Sequence, residues 1–344
     1  MMTGLFKPVK KPVIRHLSSP GGDIGPQRPQ YAVKTAPCTA ACPSVGDIRG
    51  WLTAVADAEA NARTPEQTLR SAWEKIAARN PFPAVCGRVC PADCEGACPR
   101  EAKDGAVAIR AFERYVGDFA LDRGLAPAAP AAPRGELTVA GAGPAGLSCA
   151  YQLARRGWRV TVFRAAAPGG FLRSLPGLPG EILDREIARI TALGVTLRPE
   201  PAPGDVAFTD PGGTLDKLPH VIAEGRLAAE AIDAARSGAD ALVRAGPPGP
   251  ALDAPRVAVD RIKTSWYVEA PRHQQILNEA DAVAEARRCF ACGVCMGCGN
   301  CWMYCANGCF EKTPKGNRFK LKLELCHGCS RCAEECPSGY IDMQ

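Results

Sequence analysis

Two cysteine runs near the C-terminal end restrict the fold of this chain more than any other feature. Cys295, Cys298, Cys301 and Cys305 follow the spacing C-x2-C-x2-C-x3-C. Cys326, Cys329, Cys332 and Cys336 repeat it, and Cys336 precedes Pro337. At this spacing three thiolates of one run hold a cubic [4Fe-4S] cluster and the fourth crosses to the neighbouring cube. The expected ligand sets are therefore Cys295, Cys298, Cys301 with Cys336, and Cys326, Cys329, Cys332 with Cys305. Two cubes held so close pass single electrons, so a chain built round them is expected to act as an electron wire.

Two other chemistries use clustered cysteines. Zinc takes four ligands per ion, usually as two CxxC pairs separated by a loop. Two matching four-cysteine runs fit cubes better. Disulfides need an oxidising compartment. The N-terminus, MMTGLFKPVKK, has no apolar core of a secretory signal, so the eighteen cysteines are expected to meet metal in the cytoplasm. No run of about 18 apolar residues is present, so no membrane span is expected. The net charge of +6 is spread over 344 residues without a basic block, which gives no reason to expect a nucleic-acid partner.

Cysteine is segregated along the chain. Six lie between 38 and 98, eleven between 289 and 336, and Cys149 stands alone between them, expected to pack on a helix face. Residues 1–34, rich in Pro, Gly and basic side chains, read as an extended arm. Residues 35–123 read as helical with cysteines at the joints. Thr64-Pro65-Glu66-Gln67 is a capping box with proline at the first helical position, opening a helix to about Arg79. A further helix is expected from about Val107 to Asp122. Gly124–Gly135 is a semi-rigid Pro/Ala linker. Residues 136–236 alternate strand and helix, 237–277 form a second linker, and a helix at about Asn278–Arg288 leads into a C-terminal domain over 278–344. The expected class is multidomain α/β: a helical iron–sulfur domain, a truncated Rossmann-like domain of the FAD type, and a C-terminal α+β domain that resembles bacterial ferredoxins.

The N-terminal cysteines are Cys38 and Cys42, then Cys86, Cys90, Cys94 and Cys98 at x3 spacing. Six suffice for one all-cysteine cube with two left over. The string Asn80–Arg100, NPFPAVCGRVCPADCEGACPR, resembles the iron–sulfur domain of the glutamate synthase small subunit, which also occurs in dihydropyrimidine dehydrogenase. The resemblance implies a helical domain with two [4Fe-4S] clusters. One would take Cys42, Cys90 and Cys94, completed from the following helix near Glu113. The other would take Cys38, Cys98 and an earlier CxxC pair. This chain lacks that pair ahead of Cys38, and Cys86 or the arm is the expected substitute. The N-terminal count is thus one cluster or two.

Leu137–Phe163, LTVAGAGPAGLSCAYQLARRGWRVTVF, reads as strand, Gly141-x-Gly143-x-x-Gly146, helix, strand. The glycines permit the tight turn and let a pyrophosphate approach the helix N-terminus. The acidic residue expected after the second strand is Arg164. Further segments resemble the same family: Gly169-Gly170 followed by Glu181–Gly194, and His220–Ile232. The resemblance implies FAD in this domain, with Asp210 near its ribityl–phosphate part. It also implies a second, NAD(P)H-binding domain after Glu200, where this chain has only PAPGD. Either a reduced FAD domain survives here, or the fold is a scaffold that holds cluster modules apart.

Cys289 and Cys292 precede the first run at x2 spacing and leave the ligand frame open, since Cys289, Cys292, Cys295 and Cys298 are also a possible set. Cys309 is a further extra, where CANGC replaces the usual Cys-Pro. Only four histidines occur, and each is expected to be a surface or packing residue. The main expectation is a non-catalytic iron–sulfur electron-transfer subunit of a multi-subunit cytosolic oxidoreductase. Its partners would be catalytic and electron-accepting subunits, of 2-oxoacid or aldehyde oxidoreductases by resemblance, or a ferredoxin. The alternatives are a stand-alone FAD-dependent iron–sulfur oxidoreductase and a non-redox assembly scaffold.

Overall fold

The computed structural model describes residues 25–58, 62–128, 134–237, 257–263, 269–276, 278–313 and 319–344. Most of the arm and most of the 237–277 linker lie outside these residues.

A short strand, β1 (Pro29–Tyr31), enters the helical unit. That unit comprises α1 (Pro37–Ala41), α2 (Ile48–Ala56), α3 (Pro65–Ala77), α4 (Pro83–Val89), α5 (Asp93–Gly96), α6 (Glu101–Asp104) and α7 (Ile109–Asp122). In α2 the buried residues Ile48, Trp51, Leu52 and Val55 fall at i, i+3, i+4 and i+7, one apolar stripe of a 3.6-residue helix. They pack on Trp73 and Ile76 of α3 and on Phe112 and Val116 of α7. The expected capping box forms: Gln67 N donates to Thr64 Oγ1 at 3.3 Å and Thr64 N donates to Gln67 Oε1 at 3.0 Å. Thr64→Ala removes one side of it and is expected to cost about 1 kcal/mol in denaturant unfolding. A loss below about 0.3 kcal/mol would show that the cap is idle.

α4 and α7 touch backbone to backbone. A Cβ on Gly87 would lie 2.2 Å from Arg114 N, and one on Gly117 would lie 2.4 Å from Ala84 N. This contact sets the spacing between the helix that carries Cys86 and the one that carries Glu113.

The next unit holds β2 (Gly135–Ala140), α8 (Pro144–Arg155), β3 (Trp158–Phe163), α9 (Gly180–Thr191), β4 (Thr196–Arg198), β5 (Phe208–Thr209) and α10 (Leu218–Ser237). Its sheet is parallel, in the order β4-β3-β2-β5, with Leu137 opposite Val160 and Val139 opposite Val162. Crossovers through α8 and α9 account for the parallel pairing. Leu147, Leu153, Val160, Val162, Ile187 and Ile222 belong to the core. The chain passes from Arg198 of β4 to Phe208 of β5 in one short connection, without an inserted domain.

The C-terminal unit is smaller: α11 (Glu279–Arg287), α12 (Asn300–Tyr304), β6 (Phe310–Lys312), β7 (Phe319–Leu321), α13 (Arg331–Glu334) and β8 (Ile341–Met343). β6 and β7 form an antiparallel ribbon.

Two segments sit elsewhere than the division read from sequence implies. Pro29–Tyr31, placed in the arm, pairs antiparallel with β8, Tyr31 opposite Ile341. Tyr31 also stacks on Tyr340 at 5.0 Å and donates its hydroxyl to Phe319 O at 2.6 Å. The small C-terminal core thereby gains an aromatic lid and an edge partner. Helix α11, placed in the C-terminal domain, instead buries Ala282 and Ala286 in the helical unit. Its Glu285 is fully buried, accepts from Ala108 N at 2.7 Å and pairs with Arg288 at 2.7 Å. Arg288 in turn donates to the carbonyls of Asp104, Gly105 and Ala106. A buried charge needs such partners, and here several of them lie across the unit boundary.

Candidate iron–sulfur sites and the glycine-rich turn

The C-terminal cysteines meet in two separate sets. Cys295, Cys298, Cys301 and Cys336 line one cavity, together with Tyr31 and Tyr340. Cys305, Cys326, Cys329 and Cys332 line another, with Cys309 as a fifth thiol. In both, the fourth cysteine comes from the opposite run, as the spacing predicts. Glycine is required where the loop folds tightest: Gly328 has φ +70°, and a Cβ there would lie 2.6 Å from Gly25 O. Backbone amides point at sulfur. Tyr340 N donates to Cys336 Sγ at 3.3 Å, Cys309 N to Cys305 Sγ at 3.3 Å and Gly328 N to Cys326 Sγ at 3.4 Å. Such bonds help set the reduction potential of a cluster.

A third cavity lies between the helical unit and the C-terminal run. Cys38 from α1, Cys98 after α5, and Cys289 and Cys292 after α11 line it, framed by Arg49, Arg100 and Phe290. Neither Cys86 nor a described arm residue belongs to it. Cys289 and Cys292, a possible set with Cys295 and Cys298 on spacing, line this cavity with Cys38 and Cys98 instead. Their x2 spacing was the available signal, but nothing local shows that they face Cys38 rather than Cys295.

Cys42, Cys90 and Cys94 form a fourth group round Glu113. Cys42 and Glu113 both act electrostatically on Cys90 and on Cys94. Glu113 Oε1 accepts from Asn80 Nδ2 at 2.8 Å, and Asn80 Oδ1 accepts from Phe82 N at 2.9 Å. Burial pushes the Glu113 carboxyl up to about 7, against the Asn80 bond and with help from Glu186. Cys86 lies one turn before Cys90, buried with Phe82 and Val85 in the core of the α/β unit.

Among the described residues no three Cys, His, Asp or Glu side chains converge as they would on a single ion. The cysteines instead line three separate cavities. Burial raises the thiols: Cys289, Cys298 and Cys332 are each pushed up to about 11, and Cys38, Cys94 and Cys301 upward as well. Four thiolates hold one [4Fe-4S] cube, and the cysteine sets lining these cavities supply them.

In the α/β unit Gly141, Gly143 and Gly146 form the turn between β2 and α8. Gly141 has φ +94°, and a Cβ on Gly146 would lie 2.0 Å from Gly141 O. Asp210, at the end of β5, closes over the turn. Its Oδ2 accepts from Gly146 N at 2.7 Å and its Oδ1 from Gly212 N at 2.7 Å. This turn fits the pyrophosphate half of a dinucleotide. The adenosine half is poorly matched: Arg164 follows β3 and donates to Ala166 O at 2.9 Å, where a ribose-binding carboxylate is expected. Cys149 is buried inside α8, as expected of a packing residue. His273 holds Glu285 at 2.8 Å in the anchor of α11.

Fold and cysteine sets together define an iron–sulfur protein with a dinucleotide-type α/β unit. Comparison with known proteins narrows that class. Residues 30–125 match the family described as dihydropyrimidine dehydrogenase domain II, 4Fe-4S cluster. Residues 136–171 match FAD dependent oxidoreductase. The NAD-dependent dihydropyrimidine dehydrogenase subunit PreT of Escherichia coli is 35% identical over 170 residues, 47% of this chain and 39% of the relative. The beta subunit of an NADP(+)-dependent formate dehydrogenase from Moorella thermoacetica is 38% identical over 190 residues, 47% of this chain and 26% of the relative. The glutamate synthase [NADPH] small chain of Azospirillum brasilense is 36% identical over 173 residues, 47% of this chain and 34% of the relative. The chain thus covers well under half the length of these relatives. Its N-terminal half is similar to part of the glutamate synthase small chain and of PreT.

Proposed function

We propose that the chain is the iron–sulfur electron-transfer subunit of a multi-subunit oxidoreductase in the cytoplasm, relaying single electrons between its clusters and a flavin or partner subunit. The observation that carries this reading is the crossed pairing of the two C-terminal cysteine runs, each cavity lined by three residues of one run and one of the other. Two cubes held in adjacent sets would be suited to electron relay. Several similar proteins are by their names subunits of larger assemblies, which supports partner chains here. A 2-oxoacid or aldehyde oxidoreductase is the proposed kind of complex, with ferredoxin as a further electron partner. Among the described residues no helix is long and apolar enough to cross a membrane.

The flavin is a separate part of the proposal. Gly141, Gly143 and Gly146 would hold its pyrophosphate and Asp210 its ribityl–phosphate part. The short β4–β5 connection leaves no place for an inserted nucleotide domain, so electrons would arrive from a partner rather than from NAD(P)H bound by this chain.

The test is iron, sulfide and flavin content after anaerobic purification, with reduction followed by EPR. At least about eight irons, two cubes of four, that are reduced by dithionite support the relay. Bound flavin that is reducible without a partner moves the reading to a stand-alone flavoenzyme. Fewer than about eight irons removes the relay, and none leaves only a scaffold.

A further inference from the structure

We infer that Cys38, Cys98, Cys289 and Cys292 hold a fourth [4Fe-4S] cluster, built by two distant parts of the chain, which joins the N-terminal and C-terminal clusters into one continuous relay. The inference rests on the electron-transfer reading above.

Four thiols line a single cavity, as four line the cavity of Cys295, Cys298, Cys301 and Cys336. Four convergent cysteines are the donor set of a [4Fe-4S] cube. Cys289 and Cys292 stand at the x2 spacing of a cube-binding pair, and Ala291, between them, has φ +51°. That left-handed residue turns both side chains inward, and its N–H donates to Cys289 Sγ at 3.4 Å. The cavity also carries positive charge to face four thiolates. Arg49 lines it while its Nη1 donates to Cys292 O at 2.7 Å and Lys34 O at 2.8 Å. Arg100 lines it too, fully buried, held by Asp104 at 2.6 Å and lying over Phe290 at 5.0 Å.

Position along the chain gives the site its role. Cys38 lies in α1 and Cys42 follows its last residue, four residues on, and Cys292 and Cys295 are three apart. Extended backbone reaches at most about 14 Å over four residues and about 11 Å over three. A cluster on Cys38 and Cys292 therefore lies next to the Cys42 group on one side and the Cys295 set on the other.

The experiment uses the full chain, reconstituted anaerobically. Iron and acid-labile sulfide per chain are measured with EPR of the reduced protein, for wild type, Cys289→Ser/Cys292→Ser, Cys38→Ser, and Cys326→Ser/Cys329→Ser as the reference. Wild type is expected to hold about sixteen irons, four cubes of four. The first two variants are each expected to lose about four while keeping the coupled signal of the C-terminal pair. The reference is expected to lose about four together with that signal. Wild-type iron in Cys289→Ser/Cys292→Ser overturns the site. Should that variant fail to fold by circular dichroism, Cys38→Ser, from the opposite wall, decides alone, and unchanged iron there overturns the site. Fewer than about eight irons in wild type strikes the electron-transfer reading itself, a result distinct from loss of the fourth cluster alone.

Discussion

Arg288→Ala is expected to be the most destabilising single change in the chain. Arg288 is fully buried and donates to Ala106 O at 3.1 Å, Asp104 O at 2.8 Å and Gly105 O at 2.6 Å, besides pairing with Glu285 at 2.7 Å. Truncation leaves three carbonyls and one carboxylate short of a donor inside the protein. Removing one partner of such a buried pair costs about 3–5 kcal/mol. The loss is expected as a lower denaturant midpoint, with α11 released from the helical unit and iron bound through Cys289 and Cys292 lost with it. Arg287→Ala, one residue earlier and exposed, is expected to change stability by less than about 0.5 kcal/mol. Equal effects at the two positions would refute the anchor. The pH dependence has a definite sign. Burial pulls the Glu285 carboxyl up, but the amides of Ala108 and His273, the His273 ring and Arg288 outweigh it and leave it below its ordinary value. A carboxyl held low in the folded state stabilises above its unfolded value of about 4.3, and that stability is lost as pH falls below it. Arg288→Ala should therefore flatten the acid limb of the stability curve.

Gly117→Val is expected to remove one cluster without touching a cysteine. A Cβ at Gly117 would fall 2.4 Å from Ala84 N and 2.6 Å from Ala84 Cα. Backbone cannot rotate away as a side chain can, so α4 and α7 must part. Overpacking of this kind costs about 1–3 kcal/mol. The larger effect is positional: Cys90, at the end of α4, moves away from Glu113 of α7. About four irons per chain, one cube, should be lost, while the C-terminal clusters keep their EPR signature. Gly96→Ala serves as the comparison, because a Cβ there meets nothing within 4 Å although Cys94 is two residues away. It should leave iron unchanged. Full iron in Gly117→Val would mean that the α4–α7 spacing does not govern the site.

The interface between the helical and α/β units rests on another buried pair. Glu186 of α9 is fully buried, accepts from Ala84 N at 2.8 Å and lies 3.0 Å from Arg189. Burial pushes its carboxyl up to about 7, with Arg189 and the Ala84 amide opposing. This side chain ties α4 to the α/β unit, so the cysteine-bearing helix is held from both sides.

Much of this molecule was legible in its amino-acid order, wherever the determining interactions are local. The capping box at Thr64 acts within four residues. The strand, glycine turn, helix and strand over 135–163 follow from hydrophobic period and from glycine at a turn that excludes Cβ. The crossed C-terminal sets follow from cysteine spacing, because loop lengths of two and three residues leave few ways to surround one cube. Tertiary structure decided what depends on pairs far apart in sequence. Pro29–Tyr31 carries no local sign of being a strand, and it becomes one because the last strand, near residue 342, offers unpaired backbone groups and a tyrosine to stack on. Cys289 and Cys292 look equally suited to Cys295 and Cys298 when spacing is the only guide. They turn to Cys38 and Cys98 because the buried Glu285 and Arg288, besides pairing with each other, bond to the 104–108 segment, and that anchor fixes where the following thiols point.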